Sequence, residues 1–340
     1  MFFWRGSRTL VDRISRLRMG LTETPLLSLV DDRVDLVTKL EFCNPTGSAK
    51  DRSALWILEQ AIRRGDITPG TTVVESSSGN FAISLASYCR TLGIPFVPVI
   101  DPNCNRSTED YLRALCDRVE KVTEQDGTGG YLNTRLARVG ELLLELDHAY
   151  WPNQYANADA MDAHYRFTGG ELCRTLTRLD YLFVGVGTAG TLSGLSRRVK
   201  ERFPRCTVVA VDSVGSAIFG QPPAPRMIPG IGSSIVPPLC ERALVDDVVI
   251  VSEARTIAAC HELFARHGLF AGGSTGTVYS AVQTYFSGRA SQARPVVAFL
   301  SADRGQAYAD TIYNPAWARQ MTGPALDVDE ELAWTQALAS

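Results

Sequence analysis

In Asn44-Pro45-Thr46-Gly47-Ser48-Ala49-Lys50 a lysine follows a tight polar turn and opens an apolar helical stretch. The chain has 34 basic residues, and lysine supplies only Lys39, Lys50, Lys121 and Lys200. An amine can attack a carbonyl or carry a proton once its pKa is lowered, whereas a guanidinium stays protonated. Carbonyl or imine chemistry therefore has very few candidate nucleophiles here, and Lys50 has the most distinctive setting.

Three small-residue turns each open a predicted helix, and the first two directly follow a predicted strand. Gly185-Val186-Gly187-Thr188-Ala189-Gly190 fits G-x-G-x-x-G, with Asp212 ending the next strand 22 positions beyond Gly190. That spacing suits a dinucleotide, which makes an NAD-dependent oxidoreductase one reading. The physics is less particular: free N–H groups at a helix start hold a monophosphate equally well. Thr188 and Thr191 add hydroxyls that suit a compact phosphate. Ser76-Ser77-Ser78-Gly79-Asn80-Phe81 forms a second anion cradle, fitted to a substrate carboxylate. Simple N-capping by Ser78 is the plainer alternative, although it needs one polar residue rather than several. Ala271-Gly272-Gly273-Ser274-Thr275-Gly276 is the third turn.

The elements that would position these turns alternate regularly. Strands are predicted at 36–42, 71–76, 96–100, 118–123, 181–186, 207–212, 247–252 and 296–301. Helices are predicted at 48–64, 79–92, 107–116, 130–147, 159–178, 190–203, 253–267, 276–286 and 305–312. Continuously apolar strands between helices indicate α/β layers with covered parallel sheets. Residues 43–155 read as a smaller α/β domain and 1–42 plus 156–325 as a larger one, with an acidic tail at 326–340. The Pro-rich segment 221–238 is a long irregular loop of the functional kind.

The chain has 340 residues, 45% of them hydrophobic and 21% charged, with net charge −3. No nucleic-acid surface or membrane span is expected. The basic segment 1–20 reads as an amphipathic helix lying on the body or on a partner subunit. Eight scattered cysteines lack a C-x-x-C pair and do not cluster with the four histidines. No metal site or disulfide framework is expected; reduced, mostly core thiols in the cytoplasm fit better. Cys43 is expected to pack in a wall or core.

Taken in order, Asn44–Lys50, Ser77–Asn80, Gly187–Thr191 and Gly273–Gly276 resemble the motifs of fold-type II pyridoxal 5'-phosphate enzymes, in the cysteine synthase branch. The resemblance implies a tryptophan synthase β-like fold: two three-layer α/β domains, an active site in the cleft between them, and a homodimer. It implies that Lys50 carries the cofactor and that Asn80 bonds its phenolic oxygen. Gly187, Thr188, Ala189, Gly190 and Thr191 would hold its phosphate, and Ser274 would meet its pyridine nitrogen. A neutral hydroxyl there favours loss of a β-substituent over transamination. Lys50, at the buried end of the cleft and near a cationic site, would have a lowered pKa and act as general base.

Segments 75–80, 129–135, 150–155, 211–220, 229–234 and 270–276 resemble one subgroup, the N-(2-amino-2-carboxyethyl)-L-glutamate synthases. These join O-phospho-L-serine to L-glutamate on the way to 2,3-diaminopropionate in siderophore and related biosynthesis. Small amino-acid substrates are thus implied. Ser77, Ser78, Gly79 and Asn80 would take the substrate carboxylate. Arg135 would face the leaving phosphate, since a guanidinium matches it bidentately. Gln154 and Tyr155, at the end of a predicted strand, would touch substrate, and 229–234 would close over the second one. Cysteine synthesis from O-acetylserine or O-phosphoserine with sulfide is the alternative. Phe81, where sulfide-using relatives usually carry threonine, disfavours it.

Overall fold

The computed structural model describes residues 9–287 and 294–322. The acidic tail 326–340 and the first eight residues of the basic segment lie outside the described residues. The chain begins with α1 (Leu10–Met19), β1 (Leu26–Leu29) and β2 (Asp35–Leu40), followed by α2 (Lys50–Arg64), β3 (Thr72–Ser76), α3 (Asn80–Leu92) and β4 (Phe96–Ile100). Next come α4 (Arg106–Leu115), β5 (Glu120–Lys121), α5 (Leu132–Glu145), β6 (Ala149–Tyr150), α6 (Ala158–Ala163) and α7 (Gly169–Thr175). The remainder is β7 (Tyr181–Gly185), α8 (Gly190–Arg202), β8 (Thr207–Ser213), β9 (Asp247–Val251), α9 (Glu253–His267), α10 (Gly273–Phe286), β10 (Val296–Ser301) and α11 (Pro315–Thr322).

Two sheets result. One is six-stranded, in the order β1-β2-β10-β7-β8-β9, and the other is four-stranded, β5-β4-β3-β6. Every pairing is parallel except that of β1 with β2. The central strands are buried on both faces, as a parallel sheet between helices requires: all of β4 is buried, as are five of the six residues of β10. In both sheets the turns that leave the C-terminal strand ends carry the small-residue motifs, where ligands bind in open α/β sheets.

Three expectations change. The helix expected over 159–178 is broken into α6, a π-turn at His164–Thr168 and α7. The cause is close packing by α8. A Cβ on Gly194 would lie 2.4 Å from Met161 O and 2.7 Å from Tyr165 N, so the extra residue of the π-turn lets two backbones touch. The helix expected over 305–312 is only a 3-10 turn at Gly305–Tyr308, closed by Gly305 N–H donating to Phe270 O at 3.0 Å. Cys43 ends a short 3-10 turn and is exposed, not packed in a wall. All eight cysteines are unpaired, and five of them are buried. The amphipathic reading of the N-terminal segment holds for α1, whose Ile14 enters the core while Arg18 pairs with Glu59 of α2 at 2.8 Å. Among the described residues no helix is long and apolar enough to cross a membrane. No cluster of three or more His, Cys, Asp or Glu among them is placed to hold a metal.

Candidate active site

The turn before α2 is built by its own polar side chains. Asn44 Nδ2 donates to Glu41 O at 2.8 Å and to Ser48 O at 3.2 Å, and Gly47 supplies the positive φ of +90° that the turn requires. Asp51 accepts from Thr46 N and Oγ1 and from Tyr88 Oη, which locks the first turn of the helix. Two residues after Lys50, buried Arg52 bridges Glu171 at 2.7 Å and Glu41 at 3.3 Å, and Lys39 meets the same Glu171 at 2.9 Å. This network joins α2 to β2 and α7 and fixes where Lys50 points.

Lys50 opens onto a cavity of about 410 Å³ bounded by turns from both sheets. Three of the four lysines are ion-paired: Lys39 with Glu171, Lys121 with Glu109 and Lys200 with Asp246. Lys50 makes no ion pair among the described residues. Burial pushes its pKa below the ordinary lysine value, and nearby Asp303 opposes that shift. The direction agrees with the expectation, but the neighbour is a carboxylate rather than a cation.

The cavity brings together nearly all the residues singled out in the sequence. Ser77, Ser78, Gly79 and Asn80 form one wall with Arg135, Gln154 and Tyr155; Gly187, Thr188, Ala189, Thr191 and Ser274 form another. Gly190 lies just beneath, buried against Ala160 as the first residue of α8. Ala189 adopts a left-handed conformation at φ +65°, which turns the loop toward the start of α8. His164 of the π-turn reaches Thr191 Oγ1 at 3.2 Å through Nε2 and Thr168 Oγ1 at 3.0 Å through Nδ1. Burial, reinforced by Lys50 and Arg52, drops its pKa to about 3, so it orients the threonine as a neutral ring.

Helix capping differs between the cavity and three helices away from it, although α4 and α7 also lack a side-chain N-cap bond. At α1, α6 and α9 the N-cap side chains of Thr9, Asn157 and Ser252 accept the backbone N–H groups of Asp12, Asp159 and Arg255. The five helices whose starts line the cavity, α2, α3, α5, α8 and α10, receive no such bond from the N-cap residue. At α2, α3 and α5 another side chain accepts instead: Ser48 Oγ from Lys50 N at 3.2 Å, Ser77 Oγ from Ala82 N at 3.3 Å and Asp126 Oδ2 from Asn133 N at 2.8 Å. The starts of α8 and α10 are thus the positive ends left facing the cavity, which suits anionic guests.

Ser78 does not cap α3. Its Oγ donates to Asp101 Oδ2 at 2.9 Å and accepts from Asp101 N at 3.1 Å and from Arg135 at 3.2 Å. Arg135 is paired with Asp101 at 3.0 Å, so the guanidinium expected to face phosphate is held ready by a carboxylate. Ser77 Oγ accepts Ala82 N–H at 3.3 Å in the first turn of α3. Asn153, at φ +49°, turns the chain after β6, and Gln154 Nε2 then donates to Ser76 O at 3.1 Å. Gln154 is thus tied to backbone, while Tyr155 lines the open space.

Three residues were missed in the sequence. Asp303 Oδ2 accepts from Asn80 Nδ2 at 2.7 Å and Tyr308 Oη at 2.8 Å, while buried Oδ1 has no partner. Glu75 is fully buried below the serine turn. Arg226 enters from the loop after β8. The available signal was an acidic residue just past the C-terminal end of β10 for Asp303, and one inside an apolar strand for Glu75.

The residues fit pyridoxal phosphate. An unpaired amine of lowered pKa lies in the same cavity as a glycine turn at a helix start, a hydroxyl at Ser274, and an amide at Asn80 held by an incompletely bonded carboxylate. A dinucleotide fits poorly, because Asp212, which would meet its ribose, is fully buried and accepts its own neighbour's Ser213 N–H at 2.8 Å.

Comparison with known proteins agrees with this geometry. The N-(2-amino-2-carboxyethyl)-L-glutamate synthase of Ralstonia nicotianae is 43% identical over 299 residues, 86% of this chain and 88% of that protein. Its counterpart from Cupriavidus metallidurans is 42% identical over 304 residues, 88% of this chain and 89% of that protein. The O-acetylserine dependent cystathionine beta-synthase of Helicobacter pylori superposes with a TM-score of 0.79 at 25% identity, covering 92% of this chain and 99% of that one. A hydrogen sulfide-producing enzyme of Fusobacterium nucleatum gives 0.79 at 27% identity, covering 89% and 100%. The family model described as pyridoxal-phosphate dependent enzyme matches residues 17–302, and the chain belongs to that family.

Proposed function

We propose that this enzyme catalyses β-replacement, converting O-phospho-L-serine and L-glutamate to N-(2-amino-2-carboxyethyl)-L-glutamate and phosphate, for 2,3-diaminopropionate biosynthesis. The observation that carries the reading is Lys50, the one lysine without an ion pair among the described residues, sharing a cavity with two anion-binding turns and Arg135. The relatives at 42–43% identity carry the name of that reaction. We place the protein in the cytoplasm, where eight unpaired thiols stay reduced, and read it as the homodimer its family resemblance implies.

Lys50, Asn80, Ser274 and the 187–191 turn would hold pyridoxal phosphate, which would supply the electron sink for loss of the substrate Cα–H and β-substituent. The protein does the rest. Ser77, Ser78 and the start of α3 bind the donor carboxylate and fix its Cα–H toward Lys50. Lys50 Nζ takes that proton and later returns it to Cα of the product; burial lowers its pKa in the direction that favours the free base. Arg135, released in part from Asp101, meets the departing phosphate. The acceptor amine then reaches Cβ through the space beside Tyr155 and the 224–234 loop.

Mass spectrometry of products from O-phosphoserine with a panel of amino acids tests the reading. A glutamate adduct of the wild type, absent in Lys50→Ala, is the expected result. Cysteine formed from sulfide, with no amino-acid adduct, would replace it with the cysteine synthase reading.

A further inference from the structure

Joining two amino acids in one cavity leaves a carboxylate to be accounted for. The serine turn and Arg135 serve the donor, whereas a dicarboxylic acceptor brings a side-chain carboxylate of its own. Arg226 is the second arginine on the cavity wall. It comes from the loop between β8 and β9, so it reaches the space from a different element than Arg135 of α5.

Among the described residues Arg226 has no carboxylate within ion-pair distance. Its guanidinium donates only to neutral oxygens: Gly215 O, Ala224 O at 3.4 Å and Ser234 Oγ at 3.4 Å. Asp212 and Glu253 act on it only from beyond ion-pair distance, and the buried Asp212 Oδ2 has no hydrogen-bond partner among the described residues. Asp212 accepts Ser213 N–H, and Glu253 Oε1 accepts Met227 N–H and Ile228 N–H, both at 2.7 Å. Burial holds the Arg226 pKa below its ordinary value. A mostly buried cation without a direct ion pair is costly to keep, and a ligand carboxylate in contact with it would offset that cost.

The loop is built around this side chain. Glu253 pins the two residues that follow it. Gly232, at φ +75°, passes beneath the guanidinium, where a Cβ would come within 3.0 Å of Arg226 Nε and 2.5 Å of Ser213 Oγ. The same loop meets the other wall: a Cβ on Gly129 would contact Pro225, and one on Gly130 would contact Ser234 Oγ at 3.5 Å. Tyr155 lies within electrostatic reach of both Arg135 and Arg226.

We propose that Arg226 binds the side-chain carboxylate of a dicarboxylic amino-acid acceptor and gives the enzyme its preference for such acceptors over neutral ones. This rests on the β-replacement reading above. The test compares wild-type holoenzyme with Arg226→Gln and Arg226→Lys, using O-phosphoserine as donor and glutamate, glutamine or norvaline as acceptor. Phosphate release without acceptor is followed separately as the donor step. Loss of a charged hydrogen bond predicts a fall in kcat/KM for glutamate of about 10- to 100-fold in Arg226→Gln, nearly all of it in KM. Glutamine and norvaline should change less than about two-fold, with the donor step intact and partial recovery in Arg226→Lys. An equal fall for all acceptors, or a slowed donor step, would assign Arg226 to loop structure and overturn the proposal. So would an unchanged preference for glutamate. If the wild type forms no glutamate adduct, the β-replacement reading fails first and the proposal falls with it.

Discussion

Glu75→Gln isolates a protonation event beneath the substrate turn. Glu75 is fully buried near the end of β3, and its carboxyl receives N–H groups from Ser76 at 2.8 Å, Trp151 at 3.3 Å and Gln154 at 3.4 Å. Burial nevertheless wins over these bonds and the weaker pull of Arg135, and its pKa rises from 4.5 to about 8. The native state therefore binds a proton that the unfolded chain has released, so the stabilisation is complete below pH 4.5 and is lost as pH rises through about 8. At about 1.36 kcal/mol per unit, the loss between pH 5 and pH 9 is about 4 kcal/mol. Unfolding entropy scales with length, and for 340 residues about 1 kcal/mol corresponds to about 1.4 °C, so the shift is about 5–6 °C. Glutamine has nearly the shape of the protonated acid and does not titrate. Melting temperatures of wild type and Glu75→Gln across pH 5 to 9 provide the assay, since other titrations cancel in the difference. The variant should gain on the wild type steadily as pH rises. A difference that stays constant with pH would show that Glu75 is ionised in the fold and that the reasoning from burial is wrong.

Asp303→Asn removes the one carboxylate that raises the Lys50 pKa, so Lys50 should react as a free amine at lower pH; borohydride trapping of pyridoxal phosphate on the apoprotein reads that midpoint. An unchanged midpoint would separate Asp303 from Lys50. Arg135→Ala should raise KM for O-phosphoserine about 10- to 100-fold more than for O-acetylserine, the scale of a charged hydrogen bond, and equal effects would refute a phosphate contact. Adding Asp101→Asn should recover stability, by relieving a buried unpaired carboxylate, without restoring the preference. Gly194→Ala forces a methyl against Met161 O and Tyr165 N and should cost about 1–3 kcal/mol, read as a lowered melting temperature with cofactor bound.

The α/β layers were legible because the strands alternate so regularly with helices: 96–100, 253–267 and 296–301 appear with the bounds expected from pattern alone. Lys50, Asn80, the 187–191 turn and Ser274 stood out because small and polar residues in a row at a helix start have few structural uses. The π-turn at His164–Thr168 left no such trace, since its cause is Gly194 of another helix. The pairing of Arg135 with Asp101, and of Asn80 with Asp303, joins residues far apart in the chain that no local pattern connects. Arg226 hid among many arginines, because its lack of a carboxylate partner is a property of the folded neighbourhood.

The starts of α8 and α10, left open toward the cavity, carry a cost beyond catalysis. Two positive dipole ends, those of α8 and α10, converge on one volume, and until an anion settles there their mutual repulsion works against the native state. A bound phosphate would relieve it and stabilise the native state by mass action. Vitamin supply would then govern how long each newly made copy survives in the cell, because the empty form is the one that opens most readily to proteases.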